Sequence, residues 1–202
     1  MRYLTKIFLN PEIMWRERIH DSYSLHRLVY SFFPLGKENN SRFLYADKGP
    51  VRGGRSLLIL SETEPEIPQT LSSSATIVSD NFFSFRNYWF EIDMNPVRRD
   101  KKDGKRKAVT GQLELLKWFI EHTEKWGFEA DQTTLEVQVR STRQFPKNGK
   151  RCTFNHAFFR GRLQVKDPEL FRKSFEAGLG HGKAFGFGLL QLRPAAPAAN
   201  TK

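Results

Sequence analysis

Four side chains with useful chemistry recur at helical spacing near the start of the chain. Tyr23, His26, Arg27 and Tyr30 occupy positions i, i+3, i+4 and i+7, which places them on one face of a helix. Histidine suits acid or base catalysis because its pKa lies near neutrality, whereas tyrosine, with a pKa of about 10, better positions a substrate oxygen. An exposed histidine beside a tyrosine packed at a helix start would show the same pattern.

A second candidate site is a glycine-rich stretch near the other end of the chain. Five of the eleven residues from Gly178 to Gly188 are glycine. Backbone N–H groups in such a loop can bind a phosphate, and Lys183 adds a positive charge. The nucleotide-binding fingerprints place their glycines after a strand and before a helix, whereas these follow a predicted helix. A flexible connector between a helix and a strand is therefore an equal alternative.

Basic residues outnumber acidic ones and are concentrated in two segments. Lys and Arg number 33 against 22 Asp and Glu, a formal net charge of +11. The segment 98–107 holds seven of the basic residues, and the segment 140–151 holds five with no acid. Such clustering favours a polyanion-binding surface over two solvated loops. The candidate phosphate contacts in the two segments are Arg98, Arg99, Lys101, Lys102, Lys105, Arg106, Lys107, Arg140, Arg143, Lys147, Lys150 and Arg151.

Composition argues against several other classes of protein. No apolar run approaches the roughly 18 residues that span a membrane, and the N-terminal segment does not resemble a signal peptide. Cys152 is the only cysteine, so neither an intramolecular disulfide nor a thiolate zinc cluster is expected. Asp93, Asp100 and Asp103 lie among basic residues and are expected to moderate that charge rather than bind magnesium. We therefore predict a cytoplasmic protein without a metal, another cofactor or a membrane partner.

Periodicity predicts the elements that position these residues, and the first half reads β-α-β-β-α-β. The helix that begins at Asp21 or Ser22 buries an apolar stripe and stops at Pro34. That stripe consists of Leu25, Leu28, Val29, Phe32 and Phe33. The other predicted elements are a strand at 3–9, a charged connector at 15–21, a hairpin of strands 42–46 and 56–61, a short irregular helix within 62–74 and a strand at 75–78.

The second half repeats the same order. Its predicted elements are a strand at 85–94, a basic loop at 98–107, a helix at 113–126, strands at 135–140 and 153–165 joined by a turn at Asn148-Gly149, a helix at 168–177 and a strand at 189–192. The fold class is thus α+β with two tandem ferredoxin-like, RRM-like domains. We place the first domain at 1–80, the second at 85–194 and a disordered tail at 195–202.

With these patterns in place, the sequence closely resembles the CasE family, the CRISPR-associated repeat-RNA endoribonuclease of the type I-E Cascade complex. The resemblance runs from Tyr3 to about Pro194, and it rests on residues 22–34, 95–96, 159–163 and 178–192. It implies two ferredoxin-like domains, cleavage of CRISPR repeat hairpins without a metal, and catalytic tyrosine and histidine at the positions of Tyr23 and His26. His181 differs from the small residue or proline expected at its position, and its role is left open.

Cleavage of RNA without a metal uses the neighbouring 2′-hydroxyl as nucleophile, and it leaves a 2′,3′-cyclic phosphate and a 5′-hydroxyl. The reaction requires a base, an acid for the leaving oxygen and positive charge near the phosphorus. We predict that His26 is the acid or base and that Tyr23 positions the 2′-hydroxyl or donates to a phosphate oxygen. Arg27 or Lys183 would stabilise the charge.

The remaining predicted RNA contacts are Arg27, Arg160, Gly180 and Gly182, and the expected partners are CRISPR repeat RNA and the other Cascade subunits. Residues 158–161 do not fit the RRM signature, so the aromatic residues are expected mainly in the core, and the basic segments are expected to contact duplex RNA. Two other functions stay open: a non-catalytic RNA-binding subunit, and a phosphate-binding metabolic enzyme that would leave the basic segments without a role. The pair of Tyr23 and His26 favours the nuclease.

Overall fold

The N-terminal half contains one antiparallel sheet with helices on one side. A computed structural model describes residues 1–33, 42–147 and 150–195, except for the side chains of Lys147 and Lys150. The elements of this half are β1 (Tyr3–Leu9), α1 (Pro11–Arg16), α2 (Ser22–Ser31), β2 (Phe43–Val51), β3 (Gly54–Ser61) and β4 (Ser72–Ile77). The strands run in the order β2-β3-β1-β4, as the ferredoxin-like pattern requires.

Helix α2 begins where the sequence predicts because Asp21 and Ser24 form a capping box at its N-terminus. The Asp21 carboxylate accepts the Ser24 N–H at 2.8 Å, while the Ser24 hydroxyl oxygen accepts the Asp21 N–H at 3.0 Å. The predicted apolar stripe is buried, with Leu25, Val29 and Phe32 at most 2% exposed. Burial of that stripe leaves the face with Tyr23 and His26 for contacts outside the N-terminal core.

Two segments of the N-terminal half differ from the prediction. Residues 11–16 form the short helix α1, which begins because the Asn10 side chain accepts the Ile13 N–H at 2.8 Å and Pro11 occupies the first turn. The helix predicted within 62–74 is wrong, since these residues run without helical structure into β4. Pro65 and Pro68 interrupt this segment, and proline removes a backbone donor and obstructs the preceding turn.

The C-terminal half repeats the sheet arrangement on a larger scale. Its elements are β5 (Asn87–Met94), β6 (Val97–Arg99), β7 (Arg106–Ala108), α3 (Gln112–Thr123), β8 (Phe128–Ala130), β9 (Glu136–Lys147), β10 (Lys150–Val165), α4 (Pro168–Ala177) and β11 (Gln191–Pro194). The main sheet runs β11-β5-β10-β8. Strand β8 pairs with residues 163–165 of β10, and β9 pairs with residues 150–160 of the same strand. Phe119, Phe159 and Phe171, each at most 1% exposed, pack the helices onto this sheet.

Three strand regions of the C-terminal half differ from the prediction, since β9 and β10 extend beyond their predicted ends and β5 begins two residues later than predicted. The basic segment 98–107, predicted as a loop, contains the two strands β6 and β7 of a small hairpin. Strands β9 and β10 form a long hairpin that pairs from Glu136 with Arg160 to Lys147 with Lys150. The turn predicted at Asn148-Gly149 and residues 196–202 of the predicted tail lie outside the described residues. Residue 195 does not fit a disordered tail, because its N–H donates to the Asn87 carbonyl at 2.9 Å.

One buried cluster contains residues of both halves and fixes their relative position. Leu44 of β2 belongs to the same buried cluster as Leu179 of the glycine-rich stretch. At the rim, the Lys48 ammonium donates to Glu91 at 2.8 Å and to Gln191 at 2.7 Å. The glycine-rich stretch therefore lies at the junction of the halves. In the part of the chain that the structure describes, no helix combines the length and the apolar character needed to cross a bilayer.

Candidate functional site

The structure brings together three features that the sequence predicts separately. The Tyr23 ring of α2 stacks on Phe145 of β9, with centroids 6.1 Å apart and planes inclined by 14°. The His26 imidazole, one turn later, lies 5.6 Å from the Phe185 ring in the glycine-rich stretch. The helix with the candidate catalytic residues, the basic hairpin and the glycine-rich stretch thus meet at one place.

An aromatic cluster holds these three features in position. Phe145, Phe185 and Phe187 are 2%, 7% and 0% exposed, and Phe154 of β10 packs against them. The Phe185 centroid lies 4.7 Å from that of Phe145 and 5.1 Å from that of Phe154. Aromatic pairs at these distances contribute about 0.5–1.5 kcal/mol beyond the burial of their surface. The cluster therefore makes the position of α2 depend on the β9–β10 hairpin.

Aromatic rings surround His26. The centroids of Tyr30 and Phe43 lie 5.9 and 6.3 Å from that of the imidazole, in addition to Phe185. The Nδ1 atom is shielded from solvent. Such packing restricts the rotamers of the imidazole, and a restricted orientation is what a general acid or base needs relative to its substrate.

The two predicted charge stabilisers lie in different surroundings. Arg27 is exposed on α2. Lys183 is partly buried, which lowers the pKa of its ammonium group, and its Nζ donates to the Ala177 carbonyl at 2.7 Å. That carbonyl belongs to the last residue of α4, where the helix dipole favours a cation. Lys183 is thus held in place, whereas Arg27 extends towards solvent.

The glycine-rich stretch connects α4 to β11, as both interpretations predict, and backbone hydrogen bonds hold it in a defined conformation. The two ends of the loop are joined because the Leu179 N–H donates to the Gly188 carbonyl at 2.8 Å. The Gly188 N–H donates to the Asp93 carbonyl, also at 2.8 Å, and so joins the loop to β5. Gly188 has a φ of 83°, and a Cβ there would lie 2.2 Å from the Leu179 carbonyl oxygen. Gly180 and Gly182 also have positive φ, 69° and 86°. Their contact with RNA stays a prediction.

His181 is exposed within this loop and lies in a positive environment. Partial burial lowers the pKa of its imidazole, and the charges of Arg106 and Lys183 lower it further. Arg106 of β7 thus adds positive charge to the surroundings of His181.

Several predicted RNA contacts form ion pairs on the protein surface. Arg98 contacts Glu114 at 3.2 Å and Glu121 at 3.0 Å, and Arg160 contacts Glu136 at 2.7 Å. Exposed pairs of this kind contribute about 0–1 kcal/mol, so a phosphate can replace the carboxylate. Others of the set have these contacts: Arg99 with the Gly104 carbonyl, Lys105 with Asp103, Lys107 with Asp100, and Arg151 with Gln144. Lys101, Lys102 and Arg106 are exposed.

Arg140 and Arg143 instead take part in the internal structure of the site. Arg140 contacts Asp93, whose carboxyl is 4% exposed, at 3.0 Å. The Arg143 guanidinium donates to the Phe185 carbonyl at 2.9 Å and lies 4.6 Å from the Phe187 ring centroid. Burial lowers the pKa of Arg143. Arg140 therefore anchors the basic hairpin to β5, and Arg143 anchors it to the glycine-rich loop.

A polar cluster beneath the basic hairpin was not predicted from the sequence. His156 Nε2 and Arg140 Nη1 both bond to Oδ1 of Asp93, at 2.5 and 3.0 Å. Asp93 was expected only to moderate nearby positive charge, which these contacts confirm. The backbone of the same residue also holds Gly188. Asp93 thus joins β5, the basic hairpin and the glycine-rich loop. Its pairing with His156 could not be read from the sequence, since the two lie 63 positions apart.

Burial of His156 predicts a loss of stability in mild acid. Burial lowers its pKa below the ordinary value of 6.5, although the hydrogen bond to Asp93 acts in the opposite direction. Below about pH 6.5 the unfolded chain binds more protons than the folded one. The free energy of unfolding therefore decreases as the pH is lowered. Urea denaturation between neutral pH and about pH 5 measures this slope. We expect His156→Gln to reduce this dependence of the unfolding free energy on pH, and we expect the control His20→Gln, at an exposed position, to preserve it. An unchanged pH dependence in His156→Gln would contradict the role given to His156.

Groups that could bind a metal are dispersed. Within residues 1–33, 42–147 and 150–195, no three His, Cys, Asp or Glu side chains come together as a metal site. The predicted absence of a metal stays a prediction.

Known proteins resemble the chain over nearly its whole length. It matches the family model described as CRISPR associated protein over residues 2–194. A Thermus thermophilus protein named CRISPR-associated endoribonuclease Cse3 is 28% identical over 211 residues, which cover 95% of this chain and 100% of that protein. The structure of Thermus thermophilus Cse3 bound to an RNA representing a pre-cleavage complex matches with a TM-score of 0.80 and 26% identity, over 96% of this chain and 99% of that one.

A second solved structure supports the fold. The crystal structure of Cas6e from Escherichia coli K-12 matches with a TM-score of 0.73 at 21% identity, over 96% of this chain and 100% of that one. The order of strands in both sheets is therefore that of an existing architecture.

Proposed function

The chain belongs to the CasE family of CRISPR-associated proteins, and we propose that it is an endoribonuclease that binds the stem-loop of CRISPR repeat RNA and cleaves the precursor CRISPR RNA. One observation carries the proposal. Tyr23 and His26 lie where the basic hairpin and the glycine-rich loop meet, through their ring contacts with Phe145 and Phe185. A group suited to proton transfer thus lies beside a surface suited to a polyanion.

The proposed reaction needs no metal. A base takes the proton of the 2′-hydroxyl, and the 2′-oxygen attacks the neighbouring phosphorus. The bond from phosphorus to the 5′-oxygen breaks, and the leaving oxygen takes a proton from an acid. His26 acts as the acid or base, and Tyr23 positions the 2′-hydroxyl or donates to a phosphate oxygen. Arg27 follows His26 on α2, and Lys183 precedes Phe185 by two residues, so the two candidate charge stabilisers belong to the two elements that meet at the His26–Phe185 contact.

The stem of the RNA is proposed to lie against the two basic hairpins. Duplex RNA is recognised mainly through its shape and phosphates, for which exposed Lys and Arg are suited. Lys101, Lys102 and Arg106 offer such groups on the β6–β7 hairpin, and Arg151 offers one near the end of the β9–β10 hairpin. The other Cascade subunits are the proposed protein partners, and a non-catalytic RNA-binding subunit is the alternative function.

Cleavage of the repeat RNA is expected to proceed in EDTA at the rate seen with magnesium. The physical reason is that an imidazole and cationic side chains supply the proton transfer and charge stabilisation. Monovalent salt must keep the RNA hairpin folded in both reactions. Mass spectrometry of the fragments should find a cyclic phosphate on one and a 5′-hydroxyl on the other. A rate that collapses in EDTA and returns with magnesium contradicts the mechanism; RNA that is bound but intact supports the alternative function.

A further inference from the structure

The open face of the second sheet carries a row of one aromatic and two cationic side chains away from the candidate site. In the strand register, Trp89 of β5 pairs with Arg162 of β10 on one side and with Arg193 of β11 on the other. Directly paired residues of antiparallel strands point to the same face of the sheet. The neighbours of Trp89 on its own strand, Tyr88 and Phe90, are 0% and 2% exposed and lie on the opposite, buried face.

Trp89 is unusual because it lies in the middle of a sheet, is a large aromatic residue and is nevertheless 40% exposed. The Arg162 guanidinium carbon lies 5.5 Å from its ring centroid, within the range of a cation–π contact. Most of the other aromatic residues of this half pack into the core, as the sequence predicts. Trp89 is therefore available to a ligand whose flat surface can stack on an indole ring.

A cavity beside this row has the size for a nucleotide. It has a volume of about 560 Å³, and its lining includes Trp89, Arg160 and Arg193. Binding sites for small molecules commonly measure about 300–1,000 Å³. The acids beside it are already paired, Glu91 with Lys48 at 2.8 Å and Glu136 with Arg160 at 2.7 Å. Arg193 lines the cavity and Arg162 contacts the Trp89 ring, so two cations flank the indole.

We propose that Trp89 stacks an unpaired base of the bound RNA, outside the hairpin, while Arg162 and Arg193 contact the adjacent phosphates. Bases that stack on aromatic side chains beside a basic groove are a general mode of single-strand binding. A paired base already stacks on its neighbours, so the site selects unpaired nucleotides. The inference rests on the proposed function and adds a single-strand site to the surface that holds the stem.

The distance from the candidate active site defines which nucleotides can occupy this face. Phe154, whose ring contacts Phe185, and Arg162 lie on the same strand, eight residues apart. At about 3.3 Å per residue, the separation is roughly 26 Å. An RNA positioned for cleavage at His26 would therefore reach Trp89 with nucleotides away from the cleaved bond. The contribution of Trp89 to affinity should depend on the length of the unpaired RNA.

The test compares three RNAs: the repeat hairpin with blunt ends, the same hairpin with an unpaired 5′ extension, and the same hairpin with an unpaired 3′ extension. We expect Trp89→Ala to lose about tenfold more affinity for one extended RNA than for the blunt hairpin, which equals about 1.4 kcal/mol. Trp89→Phe retains a ring and should recover most of that difference. Trp15→Ala, which removes an 81% exposed tryptophan from α1, should leave all three affinities at the wild-type values.

The outcomes separate this inference from the proposed function. Equal losses on extended and blunt RNA, or no loss on either, overturn the stacking site while wild-type cleavage of the hairpin still supports the nuclease. A Trp89→Ala variant with unchanged RNA affinity that no longer assembles with the other subunits would assign the face to a protein partner and likewise overturn the inference. If Trp89→Ala selectively weakens binding of one extended RNA but the wild-type protein does not cleave the hairpin, the stacking site is supported and the nuclease is rejected.

Discussion

Replacing His26 with alanine is expected to slow cleavage of the repeat RNA at least about a hundredfold, because a positioned general acid or base contributes roughly 10²–10⁴ to a rate. Affinity for the RNA should change by less than about tenfold, or 1.4 kcal/mol, since His26 lies outside the two basic segments. Single-turnover kinetics with saturating protein isolate the chemical step, and a filter-binding titration gives the affinity. A wild-type rate in His26→Ala would exclude the assignment.

Two further variants sharpen this result. His20→Ala removes an exposed histidine that lies six positions earlier, and it should cleave at the wild-type rate. Tyr23→Phe keeps the ring that stacks on Phe145, whereas Tyr23→Ala removes it. If the ring positions the substrate and α2, the phenylalanine variant should be slowed less than the alanine variant. Equal rates for the two would assign the effect to the hydroxyl group.

Removing three cations from the end of the β9–β10 hairpin is expected to lower RNA affinity by roughly a hundredfold or more near 0.1 M salt. The substitutions are Lys147→Ala, Lys150→Ala and Arg151→Ala in one protein. Each lost phosphate contact should flatten the plot of log K against log salt by about 0.7–0.9. Arg143 is left intact because it holds the Phe185 carbonyl, so its removal would disturb the site itself.

The matched control removes three cations from the other basic segment. Lys101→Ala, Lys102→Ala and Lys105→Ala together should weaken binding less, because Asp100 and Asp103 already offset part of that charge. Cleavage at saturating protein should largely survive in both triple variants, since neither changes α2. An unchanged salt slope and affinity in the hairpin variant would show that its charge is only solvated. The RNA surface would then have to be sought on α2 and the glycine-rich loop.

Features that depend on neighbours in sequence could be predicted well. The start of α2 follows from Asp21 and Ser24, and its buried stripe follows from helical spacing. The same reasoning failed where the signal was short or contradictory. Helix α1 is only six residues long, too short for an apolar period, and the helix predicted within 62–74 ignored Pro65 and Pro68.

The site could be predicted only in part, because its assembly depends on contacts between distant residues. Helical spacing places Tyr23 and His26 on one face, but it says nothing of the rings of Phe145 and Phe185 that meet them. Composition likewise counts every arginine as available charge. Arg140 lies opposite a buried carboxylate 47 positions away in the chain, and only the paired strands bring the two together.

The contact between His26 and Phe185 spans 159 positions of the chain, which has a consequence for synthesis. At about 5–20 residues per second, a ribosome makes Phe185 roughly 10–30 s after His26. During that interval the nascent chain carries the helix without the loop and the hairpin that complete its surroundings. A polypeptide released early by a premature stop before the loop would expose α2 but hold no assembled site. The proposed nuclease site is thus complete only after the glycine-rich loop has been synthesised.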